Sequence, residues 1–398
     1  MATITAALMA IITAALVAST SALYISPRLA RTVVPPTSIN IGRTIASGKY
    51  GSVVYAQQGG AQVVAKFAAD EPRATEYLAT EAEINRLLNI RAPLHSSLDV
   101  HQRSVAPYRG TCVKDGKRLL VWSKAGEGTL ADYLSQPRKL ARALGCRKPE
   151  LPRVVLHRLL EALAHVHACG IAHRDIKPAN VLVDPKSQSL RLIDFGSSVD
   201  CAGWISRRGM KKDKLPCSYL FMPAGWYRYD DCAGWYAYDV YAAALVWLVT
   251  AVPALAQNEA KGLYDLRMAL KSHKHDAHAW RAAASGPPAD GWSRAFGWEG
   301  DSAGGMTDRA WELLTSMIEL DPTKRPQAAE ALLGPYLNHD CELDELPLPA
   351  AQPWTLEAFG PPKWLAADAC PANYEEDGEW WGSRRLMGDK PANGEWGV

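Results

Sequence analysis

The chain has 398 residues, 48% of them apolar, which suffices for one large two-lobed domain or two ordinary ones and excludes a disordered polymer. Its formal charge of +2 gives no overall attraction to nucleic acid or to an anionic membrane, so no nucleic-acid partner is expected. Eight cysteines run from Cys112 to Cys370 without a C-x-x-C pair, which argues against a disulfide scaffold and favours reduced, buried thiols over a structural zinc site.

Residues 1–38 read as an address. Ile4 to Val17 is an Ala/Ile/Leu-rich run, short for a membrane span, and Thr20 and Ala22 suit a signal-peptidase cut. Arg28 and Arg31 follow in a Ser/Thr/Pro-containing stretch, and no carboxylate precedes Asp70. A signal followed by a transit-like segment resembles the bipartite presequences that lead into plastids of secondary origin. An ordinary secretory signal and an uncleaved anchor reaching Tyr24 are the alternatives.

From Ile39 to Trp122 the pattern predicts short strands, including Ser52 to Gln57 and Gln62 to Phe67 joined by the turn Gln58-Gly59-Gly60-Ala61. A single helix is predicted over Glu71 to Asn89, with Leu78, Ala82, Leu87 and Leu88 on its apolar face and Pro93 as a stop. Beyond Gly126 the character turns helical. Pro152 to His167 is one helix, and Tyr238 to Ala251, apolar on nearly every side, is a buried one. The expected class is α+β: a small β-rich lobe over 39–122, a connection at 123–127 and a larger helical lobe over 128–340. Residues 341–398 form a Pro- and Trp-containing acidic tail, with eleven carboxylates against four Lys and Arg.

Chemistry-bearing residues follow one another in a telling order. Ile45-Ala-Ser-Gly48-Lys-Tyr-Gly51-Ser-Val53 lies where two strands meet, and Gly48 and Gly51 let backbone N–H groups approach a phosphate. A glycine-bearing hairpin is by itself an ordinary turn. Val63-Val-Ala-Lys66 sets a lysine among apolar neighbours, where a buried ammonium needs an anion. Glu83 is the expected partner, ahead of Glu81 and Glu76, because Ile84, Leu87 and Leu88 follow it on the packing faces. His173-Arg-Asp175-Ile-Lys177-Pro-Ala-Asn180 then brings a carboxylate, an ammonium and an amide into one loop, and Asp194-Phe-Gly196 supplies a second carboxylate after a strand-like run.

These motifs resemble the catalytic loop and the metal-binding turn of the eukaryotic protein kinases, with the resemblance covering about residues 39–340. The resemblance implies a bilobal fold that binds ATP and Mg²⁺ and phosphorylates protein Ser/Thr hydroxyls. It implies Asp175 as base, Lys177 as stabiliser of phosphoryl charge, Asn180 and Asp194 on Mg²⁺, and Ile45, Gly48, Gly51, Val53, Lys66 and Glu83 around the nucleotide. Lys177-Pro178 is similar to the Ser/Thr branch. Ser218 falls where such kinases carry a hydroxyl bonded to the catalytic loop, and Trp122 at the back of the adenine pocket. Arg174 implies control by an ordered activation segment, with Ser197, Ser198 and Ser206 as phosphosite candidates.

Asp239-Val-Tyr241 and Asp321-Pro-Thr-Lys-Arg325-Pro fit the same pattern, but the usual A-P-E is replaced by Phe221-Met-Pro223-Ala-Gly-Trp. Arg325 thereby lacks its expected glutamate, and an unpaired buried guanidinium costs roughly 3–5 kcal/mol. Asp230 or Asp231 could serve, or Arg325 could be solvated. A pseudokinase scaffold is the alternative reading, on the strength of this departure and of Ala46 in place of the first loop glycine.

Leu120-Val-Trp122, Gly128-Thr-Leu-Ala-Asp132, Ala279-Trp-Arg281 and Trp311-Glu-Leu-Leu-Thr-Ser-Met317 resemble the thylakoid state-transition kinases of plants and algae. That kinship implies a plastid location, association with thylakoid membranes, and light-harvesting and photosystem substrates. The thiol-based sensing of that family is not expected, since no cysteine precedes Cys112.

Overall fold

The computed structural model describes residues 39–338 apart from 49, 72, 96, 202–217, 224–231, 253–254, 256–258 and 285–307. The expected presequence, the acidic tail, Ser206, Asp230 and Asp231 lie outside the described residues.

Five strands form the first sheet: β1 (Ile39–Gly48), β2 (Gly51–Gln58), β3 (Ala61–Ala68), β4 (Tyr108–Lys114) and β5 (Lys117–Ser123), in the order β1-β2-β3-β5-β4. Gly59 and Gly60 take φ values of 55° and 79° in the turn into β3, which glycine adopts without steric cost. Alternation puts Val54, Ala56, Val63, Ala65, Leu119 and Val121 on one face, where they bury with Ile39. The register sets Lys66 against Leu120 and Val64 against Trp122, so the other face presents Lys66 and Trp122.

Against that face lies α1 (Ala74–His95). The helix runs past Pro93, contrary to the sequence expectation, because a proline so near the C-terminal end removes a single backbone bond. A second helix, α2 (Leu98–Ser104), was not expected; Ser97 caps it by accepting a bond from the Val100 amide at 3.3 Å.

The second lobe is built on α5 (Leu151–Ala168) and α6 (Cys232–Ala251), preceded by the short helices α3 (Leu130–Tyr133) and α4 (Pro137–Ala143). From Val240 to Val249 every residue of α6 is buried, as its all-round apolarity required, and the helix begins earlier than the predicted Tyr238. Leu156, Leu159, Leu160 and Leu163 of α5 bury in the same core, each contributing about 1.5–3 kcal/mol. Small strands β6 (Gly128–Thr129), β8 (Val181–Asp184) and β9 (Ser189–Leu192) make a three-stranded sheet, and β7 (Ile171–Ala172) pairs with β10 (Val199–Asp200). Between the lobes, Gly126 has φ 70°, and a Cβ there would stand 2.6 Å from the Val183 carbonyl oxygen. Further on come α7 (Glu259–Ser272), α8 (Ala277–Ala284), α9 (Asp308–Met317) and α10 (Ala328–Leu332). Among the described residues no helix is long and apolar enough to cross a membrane.

Candidate active site

The loop after β7 hangs from α6. Asp239, fully buried, accepts from the backbone amides of His173 and Arg174, both at 2.7 Å, and its Oδ2 lies 3.0 Å from His167 Nε2. His173 Nε2 lies 3.0 Å from the Ile193 carbonyl oxygen, and Ser198 Oγ donates to the His173 carbonyl at 3.1 Å. Arg174 stands at φ 67°, buried, with its guanidinium 4.1 Å above the Trp235 ring. The backbone strain is held by Asp239 on one side and by the cation–π contact on the other.

These restraints aim Asp175. Its Oδ2 accepts from Lys177 Nζ and from Asn180 Nδ2, each at 2.8 Å, and its Oδ1 accepts from the Ser218 amide at 3.1 Å. Lys177 Nζ also donates to Ser218 Oγ at 2.9 Å, so the serine singled out in the sequence does touch the catalytic loop. The turn Pro178–Asn180 positions the amide, with a further bond to the Asp175 carbonyl at 2.8 Å.

Facing this loop, Lys66 Nζ lies 2.7 Å from Asp194 Oδ1 and 2.8 Å from Glu81 Oε2. The expected partner Glu83 is corrected to Glu81: Glu83 instead accepts both arms of Arg86, at 2.8 and 2.6 Å. Glu81 belongs to the buried stripe of Leu78, Ile84 and Leu88 at helical spacings of three and seven, whereas Glu83, about 200° further round the helix, faces away from it. Burial pushes the Glu81 carboxyl up to about 7, against the lowering influence of Lys66 and of the Phe195 amide. Burial opposes charge on Lys66 as well, but Glu81 and Asp194 outweigh it and hold the ammonium above the usual lysine range. Asp194, which burial would raise, is held below the usual carboxylate range by Lys66.

Between these walls is a cavity of about 200 Å³ lined by Lys66, Glu81, Asp175, Lys177, Asp194 and Ser218 among others. Tyr50, in the turn between β1 and β2, also lines it and meets Tyr77 of α1 edge-on, with ring centroids 4.4 Å apart. Neither tyrosine was flagged by the sequence. Ile45 and Gly48 lie on β1, Gly51 and Val53 on β2, and Val53 is registered against Lys66. A Cβ on Gly48 would meet nothing within 4 Å, so open space lies before that backbone; one on Gly51 would come within 2.6 Å of the Phe67 carbonyl oxygen. Gly48 is thus free to cradle a ligand, while Gly51 is also required by the approach of β2 to β3.

The donor set fits Mg²⁺. Asn180 spends its NH₂ on Asp175, leaving its carbonyl oxygen, and the Asp194 side chain is 44% exposed. Hard oxygen donors of this number suit an ion that completes its shell with water and substrate phosphates, and among the described residues no cluster of three His, Cys, Asp or Glu forms a protein-only cage.

Two further expectations change. Ser197 and Ser198 are 4% and 0% exposed, so neither is an accessible phosphosite in this fold. Arg325 is buried, not solvated; it donates to the carbonyls of Glu319, Leu320 (3.1 Å) and Ala237 (3.2 Å) and lies 5.1 Å from the Tyr241 ring. Trp122, expected behind the adenine pocket, shares the sheet face of Lys66 and donates from Nε1 to Asn85 Oδ1 of α1 at 3.2 Å.

Comparisons with known proteins identify the fold and the family. The chain is similar to the Arabidopsis thaliana chloroplastic serine/threonine-protein kinase STN7, 26% identical over 359 residues that cover 78% of this chain and 59% of that protein. It is likewise similar to Arabidopsis thaliana STN8, also a chloroplastic serine/threonine-protein kinase, 27% identical over 269 residues that cover 58% and 51%. The chain therefore spans just over half the length of these relatives. In fold it matches the crystal structure of an Stt7 homolog from Micromonas algae soaked with ATP, with a TM-score of 0.62 and 22% identity over 79% of this chain and 96% of that one. The family model described as the protein kinase domain matches residues 39–337, both lobes and every motif above, and the chain belongs to that family.

Proposed function

We propose that this chain is an active protein serine/threonine kinase that moves the γ-phosphoryl group of ATP to hydroxyls of protein substrates. The observation that carries the proposal is the Asp175 carboxylate, held by Lys177, Asn180 and the Ser218 amide, on a cavity that also displays Lys66 and Asp194. An acceptor hydroxyl gives its proton to Asp175 as its oxygen bonds to the phosphorus, while the bond to the ADP oxygen breaks. Lys177 offsets charge on the moving phosphoryl, and Lys66 binds the remaining phosphates. Asn180 and Asp194 would hold Mg²⁺, which when bound would neutralise charge on the triphosphate. Incubating the purified chain with labelled ATP and a mixture of protein acceptors tests this reading; transfer that persists unchanged in Asp175→Asn overturns it.

The finer part of the proposal concerns place and substrate. Two similar proteins are named as chloroplastic, and residues 1–38 have the composition of a plastid address. Both support a plastid location, and the resemblance to the thylakoid state-transition kinases supports thylakoid or photosystem proteins as the substrates there. Labelled thylakoid membranes followed by phosphosite mapping test the substrate. A reporter carrying residues 1–38 tests the address, and secretion or retention as an uncleaved anchor overturns it.

A further inference from the structure

Helix α1 is tied to the sheet at three successive turns. Lys66 on β3 meets Glu81 at 2.8 Å, Trp122 on β5 donates to Asn85 Oδ1 at 3.2 Å, and Asn89 Nδ2 donates to the Tyr108 carbonyl on β4 at 3.1 Å. The strands β3, β5 and β4 are neighbours in that order. A helix rises about 6 Å over four residues and neighbouring strands lie about 4.8 Å apart, so a helix crossing obliquely meets one strand per turn. The middle rung is held by a buried amide bonded at both ends. Asn85 is 2% exposed, and its Nδ2 donates to the Glu81 carbonyl at 2.8 Å while its Oδ1 accepts from the indole. Trp122 is fixed in turn, registered against Val64 on one side and Tyr108 on the other, with the Tyr108 ring centroid 5.5 Å away.

We infer that Asn85 is a positioning residue for phosphoryl transfer, fixing through Trp122 the rotation of α1 that holds Glu81 against Lys66. An apolar side chain at this place would pack as well, and the buried stripe of Leu78, Ile84 and Leu88 sets the inward face, but only the directed bond to Trp122 fixes the small rotations that would break the 2.8 Å contact between Glu81 and Lys66. A buried amide bonded at both ends admits one orientation. The inference deepens the proposed kinase reading and rests on it.

Trp122→Phe, Asn85→Leu and the two combined, made as full chains, test it through kcat, KM for ATP and the thermal midpoint. Each single change is expected to lower kcat about tenfold with KM for ATP within about twofold of wild type, and the pair to lower it no further, because both remove one bond. Unchanged kcat, additive losses, or recovery of kcat together with the thermal midpoint in the doubly apolar variant overturns the inference. A wild-type chain that phosphorylates no protein overturns the kinase reading instead. The inference is then decided by hydrogen exchange of the α1 amides, which must quicken in both single variants while α5 is unaffected; unchanged α1 exchange overturns it.

Discussion

Lys66 and Glu81 meet at 2.8 Å beneath the first sheet, whereas Glu83, two residues along α1, pairs with Arg86 on its own helix. Glu81→Gln removes the carboxylate that orients Lys66 on the phosphates and is expected to lower kcat/KM on the order of 10²-fold, about 3 kcal/mol of transition-state stabilisation. Glu83→Gln should stay near wild type. Steady-state kinetics of the two variants on one protein acceptor decide the assignment, and equal losses would refute it.

The same pair sets a pH dependence. Burial raises the Glu81 carboxyl from its usual 4.5 to about 7, so the folded chain holds that proton more tightly than the unfolded one. Its contribution to stability is full below about 4.5 and is lost as the pH rises through about 7. Activity, which needs the carboxylate beside Lys66, moves the opposite way and falls as the pH drops through about 7. A pH profile of kcat/KM should show this acid limb in wild type and lose it in Glu81→Gln, while thermal midpoints across pH 4.5 to 7 report the opposing slope.

Asp175→Asn keeps the size of the side chain but removes the proton acceptor that Lys177, Asn180 and the Ser218 amide aim at the cavity. Loss of a general base typically costs on the order of 10²–10⁴-fold. Phosphoryl transfer should fall by that factor while titration calorimetry shows ATP still bound. Retained turnover would remove Asp175 from the role of base.

Much of this site was legible in the sequence because its parts lie close along the chain. The catalytic loop needs only the few residues around Asp175, and its motif carries it. The partner of Lys66 was harder to read, since a carboxylate and a helix face must be chosen together and three glutamates compete. The stripe through Leu78, Glu81, Ile84 and Leu88 held the answer at a spacing of three and seven, but the charge of Glu81 hid it among apolar neighbours. Tyr50, Tyr77 and Asn85 carry no motif; their roles arise from contacts between segments distant in sequence. The helix through Pro93 was missed for another reason: a proline near a C-terminal end removes one bond, not a helix.

Arg91 near the end of α1 reaches the second lobe, where its two arms bond the fully buried carboxylate of Asp200 at 2.7 and 3.0 Å and the Cys169 carbonyl at 3.0 Å. Cutting one partner strands the other. Asp200→Ala is expected to destabilise the fold by about 3–5 kcal/mol, read as a lowered urea midpoint. Arg103→Ala, which breaks an exposed pair with Asp99, should shift that midpoint little, since such pairs contribute about 0–1 kcal/mol.

The first core residue of the sheet is Ile39, 5% exposed, whose carbonyl also accepts from Lys114 Nζ at 2.8 Å and whose backbone is registered against Gln58. A chain beginning at Thr37 retains this anchor and every proposed catalytic group, so its thermal midpoint and its phosphorylation of a generic acceptor should equal those of the full chain. A chain beginning at Gly42 loses Ile39 from the cluster with Val54, Val63 and Val121. Removing that burial costs about 1.5–3 kcal/mol, and the start of the β1–β2 pairing goes with it. Its melting should therefore come at lower temperature, with the loss concentrated in the first lobe and detectable as faster amide exchange in β2. An equal loss in the chain beginning at Thr37 would show that residues before the first strand support the fold, and would weaken their reading as an address.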